Sequence, residues 1–142
     1  MARSAAVWNR TLKFAAGICA ILTAAFAAMH IDWSFLSTSR QWWVAPFAFC
    51  ITALVGAVPY GIYALFVPLT KVDPIVKALL LLVLIALSAV PNVWWIETGA
   101  HTNGWNFLII PVVQVVYLLV VAPVVIVFIG LLQRTWVRWY GT

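Results

Sequence analysis

The chain has 142 residues, 66% of them hydrophobic and only 8% charged, with a formal net charge of +5 at pH 7. A soluble domain of this length carries roughly 25% charged residues, so the composition excludes a water-soluble globule. It predicts one all-α, polytopic membrane domain over residues 1–142. The positive charge does not mark a nucleic-acid surface, because the basic residues recur only between apolar runs and form no patch interleaved with aromatics.

The first apolar run goes from Phe14 to about Ile31 and is rich in alanine. With its basic start and the small-residue pattern Ala25-Phe26-Ala27 it has a rival reading as a cleaved signal peptide. Its retention as a span is the expectation adopted. The second run, Val44 to Leu69, is long and interrupted by Gly56, Pro59, Gly61 and Pro68. Together with Ala53, Ala57 and Ala64, its glycines predict a small-residue face for close helix packing. The third run covers Lys77 to Ile96, and the fourth covers Trp105 to Leu132 with Pro111 and Pro123 inside it. Each is long enough to cross the hydrocarbon as a helix, the open-chain element that satisfies its own backbone there. The second and fourth exceed a perpendicular span, so they are expected to tilt or to kink at their prolines. Both hold two prolines about a dozen residues apart, but no repeat is built on that spacing.

Charge orients the four spans. Arg3, Arg10, Lys13, Lys71, Lys77, Arg134 and Arg138 fall on one side, and Arg40 stands alone on the other. The positive-inside rule then places both termini and the Lys71–Pro74 turn in the cytoplasm, in a plasma membrane of bacterial inner-membrane type. Tryptophan follows the same geometry. Trp33, Trp42, Trp43, Trp94, Trp95 and Trp105 fall at outer span ends, and Trp8, Trp136, Trp139 and Tyr140 at inner ends. Indole favours that boundary, where the ring is buried and the N–H stays wet.

Residue chemistry within the spans is mild: Thr23, Thr52, Tyr60, Tyr63, Ser88, Asn92, Gln114 and Tyr117. Asp32, Asp73 and Glu97 all fall at span ends or in turns, which weighs against a proton relay. Asn92 and Gln114 carry amides that need partners in lipid. Interhelical hydrogen bonding is the plain reading, and contact with a substrate or cofactor the sharper one. Cys19 and Cys50 lie inside apolar runs and read as packing residues, not as a disulfide or metal knuckle.

The outer side holds the one constellation of metal-ligand type: His30 and Asp32 after the first span, Glu97 and His101 after the third. Imidazole and carboxylate suit zinc, copper or iron, but no dense spacing fixes a site, so solvated loop residues are the plain alternative. No Ser/His/Asp or Cys/His nucleophile pattern appears, so an enzyme is not expected, nor is a cofactor beyond that metal ion. Three readings follow. The first is a non-catalytic protein that binds another membrane protein, as an accessory subunit or an immunity or exclusion factor, with Trp94, Trp95 and Trp105 as its docking surface. The second is a small transporter or channel formed by self-association. The third is an outer-face metal or redox protein using His30 and His101. No motif is specific enough to name a family.

Overall fold

The computed structural model describes residues 2–30, 42–98 and 106–140. They are helical apart from turns at 42–43 and 70–73, and no strand occurs among them. Helix α1 spans Ala2–His30, α2 Val44–Leu69, α3 Pro74–Thr98 and α4 Asn106–Val116. A π-helical turn, Tyr117–Val121, then leads into α5, Ala122–Tyr140. Among the described residues, three stretches are long and apolar enough to cross a membrane: Val44–Phe66, Pro74–Trp94 and Leu108–Leu132.

The helices outrun their apolar runs wherever polar residues can still form helix. Thus α1 starts at Ala2, well before Phe14, because the polar turns around Asn9 and Arg10 continue the same backbone ladder. Helix α3 starts at Pro74, whose missing N–H costs nothing in a first turn. Asp73 caps it: Oδ1 accepts from the Ile75 N–H at 2.8 Å, and the Asp73 carbonyl accepts from Lys77 N at 3.3 Å. At the start of α2, the Trp43 carbonyl accepts from Phe47 N at 3.0 Å, and the two rings meet edge to face at 6.0 Å.

The π turn has a packing cause. Buried positions along the fourth run fall at Ile110, Pro111, Gln114, Leu118 and Ala122. From Gln114 they step by four residues, and two such steps overrun 3.6-residue turns by nearly one residue. The wide turn at Tyr117–Val121 absorbs that excess and keeps Gln114, Leu118 and Ala122 on one face; the Ala122 N–H donates to the Tyr117 carbonyl, five residues back. Pro123 follows directly and cannot donate to the ladder, so the fourth apolar run departs from α-geometry beside the proline that sequence marks as a kink site.

The helices pack around a ring. Helix α1 lies chiefly along α2, α2 also meets α4, and α3 bridges α1 and α4. Leu12, Ala16, Tyr63, Leu84, Leu118 and Ala122 form the centre of the core. The small-residue face of α2 divides. A Cβ on Gly56 would sit 2.7 Å from Thr23 Cγ2, so glycine is what lets α1 approach there. Gly61 is exposed and has nothing within 4 Å of such an atom.

The last helix leaves the bundle. Tyr117 bonds to α3 at Leu80, so Pro123 lies about level with Pro74, where α3 begins. Ile126 still packs against the core. The helix continues to Tyr140, about 20 Å further at 1.5 Å per residue. Only 11% of the most apolar stretch of Leu108–Leu132 is buried inside the protein. Val124, Val127, Phe128, Leu131 and Leu132 are all exposed.

Candidate functional site

In a low-dielectric interior every polar side chain needs a partner, and the threonines find theirs locally. Thr11, Thr23, Thr52 and Thr135 each donate to the carbonyl four residues earlier, at 3.1, 2.9, 2.6 and 3.2 Å. The longer side chains reach across helices. Tyr63 Oη donates to the Lys77 carbonyl at 2.6 Å, Tyr117 Oη to the Leu80 carbonyl at 3.4 Å, and Gln114 Nε2 to the Leu84 carbonyl at 2.8 Å. Positions 77, 80 and 84 share one face of α3, so a stripe of its carbonyls takes donors from α2 and from the fourth run. Gln114 Nε2 also lies 3.4 Å from Tyr60 Oη, which accepts. Gln114 and Tyr63 are each only 1% exposed, which makes this a tie through the centre of the protein and not a lining of open space.

Lys77 is the residue whose setting sequence reading missed. It counts as a flanking charge by position, yet it is 6% exposed, with Nζ donating to Asn9 Oδ1 of α1 at 3.0 Å. An ammonium buried on an amide, with no ion pair among the described residues, holds α1 to α3 near the end where both begin. The available signal was its place after Pro74: the fourth residue of a helix lies one turn inside, not in the turn itself.

The sequence candidates divide as follows. Asn92 is half-buried in α3, with Nδ2 donating to the Ser88 carbonyl at 2.8 Å. Gln114 sits in the core network described above. Trp94 is exposed on the last turns of α3. Trp95 and Glu97 belong to α3, and His30 ends α1, but their side chains lie outside the described residues. Asp32, His101 and Trp105 lie wholly outside them. No group of three or more His, Cys, Asp or Glu comes together among the described residues.

Among the described residues, several clefts open on the helix surfaces. One of about 480 Å³ runs between α3 and the start of the fourth run, lined by Leu82, Leu87, Val90, Pro91, Ile109 and Val113, with no polar side chain. Another, of about 440 Å³, lies at the start of α3 between Trp8 and residues Asp73 to Leu82. The third, of about 240 Å³, lies between α1 and α3 above Tyr60. Set against known protein families, curated proteins and solved structures, the chain matches none.

Proposed function

We propose that this is a non-catalytic, four-span membrane protein that works by binding another integral membrane protein. In this reading α1 supplies the fourth span beside the three apolar stretches, and its contact along α2 supports that count. Both termini and the Lys71–Pro74 turn face the cytoplasm of a plasma membrane, following the basic asymmetry.

The observation that carries the reading is the overhang of α5. Beyond Ile126 its exposed Val127, Phe128, Leu131 and Leu132 have few neighbours from this chain, and they extend past the start of α3. Lipid covers apolar side chains within the hydrocarbon, but a helix that outruns its own bundle offers a ready packing surface to a second protein. Trp94 is exposed at the opposite end of the bundle, and with Trp95 and Trp105 would form a second contact near the outer headgroups. The core speaks against the transporter alternative, because Tyr63, Gln114 and Tyr117 tie their polar groups to α3 carbonyls and line none of the clefts described above.

Native mass spectrometry of protein gently released from its own membranes tests this. A hetero-complex that Phe128→Ala with Leu131→Ala, or Trp95→Ala, weakens at unchanged abundance is the expected result. A homo-oligomer insensitive to these changes would favour the channel reading, and a monomer in native membranes would overturn the proposal.

A further inference from the structure

The eight in-span polar residues separate into two sets once packed. Thr52 bonds within its own helix, and Tyr63, Gln114 and Tyr117 are committed to α3 carbonyls. The other four, Thr23, Tyr60, Ser88 and Asn92, all line the cleft of about 240 Å³ between α1 and α3.

The cleft has a structural origin. Helices α1 and α3 are held together where both begin, by the core cluster that Leu12 and Ala16 share with Leu80 and Leu84 and by the Lys77–Asn9 bond. Further along they leave a gap, with lining positions one turn apart on each: 19, 22, 23 and 26 on α1, and 85, 88, 89, 92 and 93 on α3. Tyr60 of α2 closes the bottom. Leu22 and Val93 are largely exposed, so the gap opens to the surroundings of the helices.

Its polar groups have bonding capacity left over. Asn92 donates one amide hydrogen to the Ser88 carbonyl, and Tyr60 Oη accepts from Gln114. Among the described residues, no hydrogen bond uses the Ser88 hydroxyl, the second amide hydrogen of Asn92 or the Tyr60 hydroxyl proton, three donors that a carbonyl oxygen can take. Among the described residues no enclosed side-chain nitrogen or oxygen lacks a partner, so the Ser88 hydroxyl and the Asn92 amide are accessible groups, not orphans. Leaving such groups against hydrocarbon is unfavourable. The lining contains no Asp, Glu, Lys, Arg or His.

From this convergence we propose that the α1–α3 cleft binds a neutral, lipid-soluble molecule whose oxygen-bearing head hydrogen-bonds with Tyr60, Ser88 and Asn92. The absence of charge in the lining selects an uncharged ligand, and its apolar walls (Leu22, Phe26, Ile85 and Val93) select a hydrocarbon or aromatic body. An apolar cavity of about 150 Å³ accepts benzene, so this cleft suits a head of one or two rings, or a lipid's ester region. The larger cleft between α3 and the fourth run has room for an acyl chain but nothing to orient a head, which is why the smaller one is assigned.

Benzophenone is a suitable probe: neutral, two-ringed, with a carbonyl acceptor, and able to label C–H bonds under ultraviolet light. With the full chain in lipid nanodiscs, labelling should saturate, and peptide mapping should concentrate adducts on Leu22, Phe26, Ile85 and Val93. Ala89→Trp, which fills the cleft from its accessible side, should cut these adducts at least tenfold. Asn92→Leu and Ser88→Ala should each raise the half-saturating concentration roughly two- to tenfold, as expected for one neutral hydrogen bond. Each variant is scored only as monodisperse protein with wild-type helix content; if Ala89→Trp fails that standard, Val93→Trp replaces it. Ether-linked lipids separate the two sources of this chemistry. Tighter labelling there identifies the ester carbonyl of a membrane lipid as the occupant, and unchanged labelling identifies a separate small molecule. Labelling that never saturates, that spreads over α4 and α5 in proportion to exposure, or that ignores the cleft-filling residue would overturn the proposal.

Discussion

Glycine 56 offers the sharpest quantitative test of how α1 meets α2. Gly56→Ala adds a single carbon 2.7 Å from Thr23 Cγ2, with Thr23 Cβ at 3.9 Å. Carbon atoms pack best at about 3.5–4.0 Å, so the helices must separate by nearly an ångström or Thr23 must turn. Turning is restrained, because Thr23 Oγ1 donates to the Cys19 carbonyl at 2.9 Å. Overpacking of this kind costs about 1–3 kcal/mol, offset by about 1 kcal/mol from replacing a helical glycine by alanine. Gly61→Ala collects the same helix benefit with nothing in its way, since apart from its own helix turn and chain neighbours nothing lies within 4 Å of the added carbon. The two variants should therefore differ by about 1–3 kcal/mol in unfolding free energy, with Gly56→Ala the less stable. Reversible unfolding in bicelles, followed by far-ultraviolet circular dichroism, measures the difference. Adding Thr23→Ser removes Cγ2 while keeping the hydroxyl, and should restore most of the loss as a positive coupling in the double-mutant cycle. Equal stabilities for the two alanine variants, or no rescue by Thr23→Ser, would refute the close approach.

Two further outcomes follow from the polar core. Gln114→Leu breaks the bonds to the Leu84 carbonyl and Tyr60 Oη but leaves the α3 ladder intact, so it should cost about 0.6–1.7 kcal/mol and not unfold the protein; a loss above about 3 kcal/mol in the same bicelle assay would contradict that scale. Asn9→Leu takes away the one side-chain acceptor described for the buried Lys77 ammonium and should cost about 1–3 kcal/mol. The Asn9→Leu, Lys77→Met double variant should then be more stable than Asn9→Leu alone, because no cation is left without a partner. A double variant less stable than the single one would show that Lys77 contributes through something other than this contact.

Much of the architecture is legible in the order of residues. Apolar runs of spanning length announce helices in lipid, and Val44 to Leu69 coincides with α2. The third run read from Lys77 starts three residues late, because hydropathy passes over the Asp73-Pro74 pair that caps and opens α3 at Pro74. The extension of α1 back to Ala2 was not legible, because hydropathy registers lipid-facing length and says nothing of polar turns that continue the same hydrogen-bond ladder.

What tertiary structure alone decides is which way each helix faces. In water, a helix declares its buried side by an apolar stripe. In these helices nearly every side chain is apolar, and the surrounding lipid would be as apolar as the core, so Gly56 and Gly61 are indistinguishable by pattern although only one lies against α1. The same degeneracy hides the pairing of Gln114 with Leu84, the burial of Lys77 on Asn9, and the meeting of Thr23, Tyr60, Ser88 and Asn92 at one cleft. It also hides the π turn, which keeps Gln114, Leu118 and Ala122 on one face of a helix whose natural period is shorter than their spacing. Composition sets where these helices dissolve, and only the packing of rare small and polar side chains against neighbouring backbones sets how they are rotated.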